Sequence, residues 1–200
     1  MANSNRPRGL IPVSYLNGAP YNGQARRYSV PVGNATALYV GDPVTLTGDG
    51  DTFGVPGVVI GGAGSAVIGV IVGIVVASAG VSLVGTTIDL NRRSLPVSTA
   101  GYVLVADDPN IIFEIQEAAT TPFTSADIGN NCNFLIAAGG TTNSDSGTTT
   151  AVAVSAGTAT LNLKLMGLAQ REDNAFGAYA KWLVKLNNHV YGSHTGTAGI

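Results

Sequence analysis

Charge is what this sequence has least of. Asp, Glu, Lys and Arg make up 11% of its 200 residues, against the ~25% usual in a soluble globular domain. A surface wholly exposed to water ordinarily carries more. The shortage predicts that part of the surface is covered by copies of the chain or by a larger assembly. Cysteine is nearly absent too: Cys132 alone excludes an intrachain disulfide and reads as a small, inert core residue. Two histidines, His189 and His194, leave few candidates for proton transfer near neutral pH. Residues 1–8 lack the apolar run of a secretory signal. Lys, Glu and Gln, the residues that favour helices, are sparse.

What is present points to strands. Val, Ile, Thr and Ala fit a pleated sheet, and 27 Gly supply turns and bulges. The expected fold is mainly β, with an antiparallel β-barrel or sandwich as its body. Strands are expected at Arg27–Val32, Ala35–Val40, Pro43–Thr47, Val55–Ile60, Ala66–Val76, Ser94–Val97, Tyr102–Ala106, Ile111–Gln116, Asn133–Ala137 and Thr158–Leu165. Asp107-Asp108-Pro109-Asn110 reads as a turn, and Gly139–Thr150, rich in Gly, Ser and Thr, as a mobile surface loop.

Two stretches are ambiguous. Thr52 to Ile88 carries no charge, and Val58–Ala77 has the length of a membrane span with a Gly69-x-x-x-Gly73 spacing. Its β-branched residues, its five glycines and the lack of flanking Trp, Lys or Arg favour a buried strand pair turning at 61–64. No membrane partner is expected. In Ala178–Asn187 a helical stripe (Tyr179, Trp182, Leu183, Leu186) competes with strand alternation (Ala180, Trp182, Val184, Leu186). The strand agrees with the rest of the chain and is preferred.

The first 27 residues stand apart from residues 28–200. They hold Arg6, Arg8, Arg26 and Arg27 and no acid, a charge of +4, while the remainder carries 6 basic and 12 acidic residues, a charge of −6. Pro7, Pro12 and Pro20 with Gly9, Gly18 and Gly23 exclude a helix. Leu10, Ile11, Val13, Tyr15 and Tyr21 are nevertheless large and apolar. Residues 1–27 are therefore expected to form an extended basic arm on a β-rich body. The arginines and these five apolar residues are its candidate contacts, and its backbone would bond to a neighbour's sheet edge. Four arginines without interleaved Lys or aromatics make a weak nucleic-acid footprint, so no nucleic acid is expected.

No constellation for catalysis is legible. Gly62-Ala63-Gly64 after Val58-Val59-Ile60 resembles a dinucleotide turn, but Val67 stands where its third Gly belongs and the first later acid is Asp89. His189 and His194 have no third metal ligand close by and read as surface residues. Asp107 and Asp108 are explained by their turn, and Cys132 has no neighbouring His. The expectation is a non-enzyme without a cofactor or a metal.

Four segments, in order along nearly the whole chain, carry a resemblance. They are Arg8-Gly9-Leu10-Ile11-Pro12-Val13 with Asn17-Gly18-Ala19-Pro20-Tyr21-Asn22-Gly23; Tyr28-Ser29-Val30-Pro31 with 34–44; Val105-Ala106-Asp107-Asp108-Pro109-Asn110 with Phe113-Glu114-Ile115-Gln116; and 173–177 leading into Lys181-Trp182-Leu183-Val184-Lys185-Leu186. Together they resemble tailed-bacteriophage head decoration, or cement, proteins. Nothing in Val76–Asp89 takes part. The resemblance implies a virion structural protein, made in the bacterial cytoplasm, that sits on the capsid exterior. Its partners would be the major capsid protein and itself, as a homotrimer, with the arm reaching into neighbouring subunits. A head–tail connector or tail protein is the alternative reading; a membrane-inserting protein is a more distant one.

Overall fold

β-Branched residues at alternating positions become strands along the whole chain. A computed structural model describes residues 3–75, 93–118, 122–139, 145–155, 158–192 and 196–199. Among them thirteen strands form: β1 (Ile11–Tyr15), β2 (Arg26–Val30), β3 (Leu38–Tyr39), β4 (Pro43–Gly50), β5 (Pro56–Ile60), β6 (Gly69–Val75), β7 (Ser94–Leu95), β8 (Gly101–Ala106), β9 (Ile111–Gln116), β10 (Asn131–Leu135), β11 (Thr149–Ser155), β12 (Leu163–Leu168) and β13 (Lys181–Leu186). The protein is mainly β, as its composition predicts. The one helical element among these residues is a 3₁₀ turn, Ser125–Asp127, closed by a capping box between Thr124 and Asp127.

Five strands close a barrel in the order β2-β5-β4-β6-β8, all pairs antiparallel except β2 with β5. Six others form an antiparallel sheet in the order β1-β9-β13-β12-β10-β11, and β3 and β7 make a short ribbon. The barrel encloses an aliphatic core that includes Val30, Leu38, Val44, Val58, Ile71, Val103 and Val105. The sheet packs an aromatic one around Phe113, Phe123, Phe134 and Trp182.

Strand β6 lies between the two. Ile71 and Ile74 point into the barrel core, while Val70 and Val72 pack with the sheet's core. A strand buried on both faces has no solvent side on which to carry charge, so it reads as one continuous apolar run. That explains the uncharged stretch that matched the length of a membrane span; Val76 and Ala77 at its end lie outside the described residues. No helix among the described residues is long and apolar enough to cross a membrane. The glycine turn at 61–64 leads into a strand, not a helix. Its Gly64 N–H donates to Asn162 Oδ1 (2.7 Å), and Asn162 Nδ2 donates to the Ser65 carbonyl (2.7 Å).

The ambiguous segment before residue 187 is strand β13, with Trp182, Val184 and Leu186 buried and Lys181, Leu183 and Lys185 half-buried. Several boundaries differ from expectation. The strand expected from Thr158 begins only at Leu163, because the turn ahead of it buries Asn162 against the 62–65 loop. The Ala35–Val40 strand shrinks to β3, and Asn133–Ala137 moves back to β10. The expected surface loop at 139–150 is corrected in part: Asp145, Ser146 and Thr148 are buried, and β11 starts at Thr149, while residues 140–144 lie outside the described residues. His194 lies outside them too.

Candidate assembly surface

The basic N-terminal stretch lies on its own chain. Strand β1 pairs with β9, placing Ile11 opposite Glu114 and Tyr15 opposite Ile111. One edge of its backbone is therefore spent within the chain, and β1 is an edge strand of the sheet. Strand β2 then enters the barrel at Arg26, so a boundary between residues 27 and 28 falls inside a strand. Leu10 is 1% exposed and belongs to the sheet's core, which removes it from the candidate contacts. Tyr15 and Tyr21 are half-buried against the same core with ring centroids 6.0 Å apart. Ile11 is half-buried, and Val13 sits exposed on the bulge of β1.

Two of the four arginines meet acids of the same chain. Arg8 Nε is 3.3 Å from Asp145 Oδ2, and Arg93 Nε is 2.5 Å from Asp145 Oδ1. Arg26 Nε approaches Asp107 Oδ2 at 3.5 Å, and the Tyr28 hydroxyl donates to that same oxygen at 2.7 Å. Burial first, and then Asp107, raises the Tyr28 hydroxyl pKa. Arg27 stacks its guanidinium 5.0 Å above the Tyr102 ring. Arg6 forms no ion pair among the described residues, but its main-chain N–H donates to Gln116 Oε1 at 2.8 Å.

Beside this stretch runs a groove of about 570 Å³ lined by Ser4, Arg6, Arg8, Glu114, Arg171 and Lys181, among others. Arg171 Nη1 reaches both oxygens of Glu114 at 3.1 Å. Lys181 donates to Gln116 Oε1, and burial pulls its ammonium pKa down to about 8. Charges of both signs share the groove, and most are already paired.

A polar knot invisible in the sequence joins this stretch to the barrel. The Gly41 carbonyl accepts the Leu10 N–H at 2.9 Å, and a Cβ at either Gly9 or Gly41 would collide with the backbone of the other segment. Next to Gly41, the Asp42 carboxylate accepts from the Tyr39 N–H (2.8 Å), the Ser146 hydroxyl and the Thr148 hydroxyl (3.3 Å). Asp42 is 1% exposed, and its burial pushes the carboxyl up to about 6 against these hydrogen bonds. Only the Gly41-Asp42 turn signal was available to find it, and that signal says nothing about residues a hundred positions away.

Two other sequence readings concern titratable side chains. His189 is buried rather than exposed; its Nδ1 accepts the Tyr191 N–H at 3.0 Å, and burial lowers its pKa. Cys132 is a buried core residue whose thiol is pushed up to about 12 by desolvation.

Large apolar side chains remain on the surface outside the arm. Phe53, at the tip between β4 and β5, is 79% exposed; Val32, Leu135, Val97, Tyr191 and Phe176 are also exposed. None of these was singled out from the sequence, because a lone Phe in a polar turn has no period to mark it. No family model, no curated protein and no solved structure matches this chain.

Proposed function

We propose that this chain is a structural protein of a tailed-phage head, a decoration protein that binds the assembled lattice and stabilises it. Its partners in that reading are the major capsid protein and two further copies of itself in a trimer. The observation that carries the reading is a set of large apolar side chains left exposed on a charge-poor chain, with Phe53 foremost. The resemblance of the four ordered segments supports the same class.

The energetics suit such a role. Burying one Phe contributes about 2–3 kcal/mol, too little alone to hold a subunit in place. Repeated over a trimer and a lattice, such contacts add through multivalency. A protein that binds only the assembled shell then stabilises it by mass action. Among the described residues, the neighbour-contacting part of the N-terminus in this reading is residues 3–8 with Val13, because Leu10 belongs to the core.

The experiment is sedimentation of the purified chain with mature shells and, separately, with unassembled capsid protein. The full chain is expected to co-sediment with shells alone, and Phe53→Ser to weaken that binding. A chain that ignores shells, or whose density sits at the neck or tail of the virion, overturns the proposal.

A further inference from the structure

We infer that residues 3–8 form a detachable strap, and that the socket beneath it accepts the same residues from a second copy of this chain. The inference deepens the assembly reading and rests on it for a purpose, though not for its geometry.

Among the described residues, no main-chain to main-chain hydrogen bond ties residues 3–9 to the rest of the chain; the first is made by Leu10. None of residues 3–8 belongs to either core. The strap is held through polar side chains instead. Asn3 Nδ2 donates to the carbonyls of Ala175 (2.8 Å) and Ala178 (3.0 Å), while its Oδ1 accepts the Ala175 N–H (3.0 Å). Gln116 accepts the Arg6 N–H at 2.8 Å and donates to Asn5 Oδ1 at 2.9 Å. Lys181 Nζ reaches the Ser4 carbonyl at 3.4 Å. Ser4, Asn5, Arg6 and Arg8 are exposed, so water competes for the bonds of Asn3 to Ala175 and of Lys181 to Ser4, while those to Gln116 are partly sheltered.

The strap ends at a pivot. Gly9 has φ +69°, a left-handed conformation that suits glycine, and it is wedged against Gly41 just ahead of the buried Leu10. At Leu10 the chain enters the core, whereas residues 3–8 are held by polar contacts alone, the ion pair of Arg8 with the buried Asp145 included. Six extended residues span roughly 20 Å.

The socket reads an Asn side chain at position 3, a carbonyl at 4, an Asn at 5, an N–H at 6 and, through Asp145, a guanidinium at 8. A second copy supplies that register identically. Exchange of an identical element loses no contact, so occupancy within or between chains is decided by effective concentration. A closely packed trimer or lattice favours exchange, and dilute monomer favours self-occupancy.

The test uses full-length chains in the absence of shells. One carries Asn3→Cys, another carries Ala175→Cys, and a third carries both; the native Cys132 is buried. Under mild oxidation the doubly substituted chain is expected to close internally when dilute. The mixed single variants are expected to form covalent heterodimers whose yield rises with concentration, above the level of either variant alone. Internal closure with no mixed dimer up to about 1 mM, the effective concentration a short tether provides, overturns the exchange. Failure of the double variant to close overturns the socket itself. Shell binding is read separately: a chain that binds shells without mixed dimers loses the exchange and keeps the assembly reading, and the converse result does the opposite.

Discussion

The barrel and the six-stranded sheet deal with their strand edges in different ways. In the barrel every strand has two partners, so no row of backbone N–H and C=O groups faces outward. The sheet ends at β1 and β11. Strand β1 is short, carries Pro12 and bulges near Val13, and the chain folds back over it so that the Val13 carbonyl accepts the Tyr21 N–H at 3.1 Å. Each of these features blunts an edge against strand addition. The sheet is also where both ends of the chain are fastened, residues 3–8 on one side and 196–199 on another, in each case by side-chain amides. The barrel closes on itself, whereas the sheet keeps two edges and carries residues 3–8 and 196–199 on its surface. If the proposed assembly forms, its contacts are therefore expected to act on the sheet first.

The strongest way to break this comparison is to hollow out the sheet. Trp182 is fully buried, packs its ring against Phe123 and Phe176 at 5.8 Å each, and donates its indole N–H to Glu117 Oε2 at 2.7 Å. Trp182→Ala removes about 3–5 kcal/mol of packing and leaves the buried Glu117 carboxylate, its pKa already raised first by desolvation, with the Phe123 N–H as its remaining donor. Ile71→Ala in the barrel is expected to cost about 2–5 kcal/mol. Because Val67, Val70 and Val72 tie the barrel's strands to the sheet's core, both variants should melt in one calorimetric transition. Trp182→Ala should lower its midpoint by roughly 10 °C. Two separate transitions in Trp182→Ala, with the upper one unmoved, would make the barrel an independent unit.

The knot between the two regions gives the next largest effect, through pH. Asp42 has its carboxyl raised from 3.8 to about 6 in the folded chain by burial. Between those values the native state binds the proton more tightly than the unfolded one, so this group's contribution worsens as pH rises through the window and is constant above it. The span corresponds to a difference on the order of 3 kcal/mol. Asp42→Asn removes that titration while keeping an acceptor for the Tyr39 N–H. The stability difference between variant and parent, read from urea midpoints, should grow in the variant's favour from pH 4 to pH 6.5. A difference independent of pH would show that Asp42 titrates normally.

What could be read in the sequence follows from whether the cause is local. Ile111–Gln116 and Lys181–Leu186 alternate cleanly because each has one buried face, and both came out as strands. β6 was legible as buried but not as the wall between two cores, since an apolar run is the same whichever sheet covers its second face. β1 was hidden by Pro12 and its bulge, which erase the period. β11 was not predicted: its first two residues fell in the Gly/Ser/Thr loop and the rest carried no assignment. The charge asymmetry was legible, but not its partners: Asp107 and Asp145 lie far along the chain, and only folding brings them to Arg26 and Arg8. Asp42 with Ser146 and Thr148 has no local signature at all.

The smallest effects separate the two terminal fastenings. Asn187 is 6% exposed; its Nδ2 donates to the carbonyls of Ala159 (2.8 Å), Leu161 (3.1 Å) and Thr197 (3.1 Å), and its Oδ1 accepts the Thr197 N–H at 3.0 Å. Asn187→Ala takes a donor from three partly sheltered carbonyls, of which that of Thr197 keeps the Asn131 amide, at a cost of about 1 kcal/mol or somewhat more. It should also raise hydrogen exchange at the Thr197 amide. Asn3→Ala severs bonds that water can replace, so it should cost less than about 1 kcal/mol. The amide of Ala175, which Asn3 Oδ1 covers, should nonetheless exchange faster. If Asn3→Ala destabilises the fold as much as Asn187→Ala, the N-terminal strap is part of the sheet's foundation. It could not then lift at Gly9 without unfolding what lies beneath.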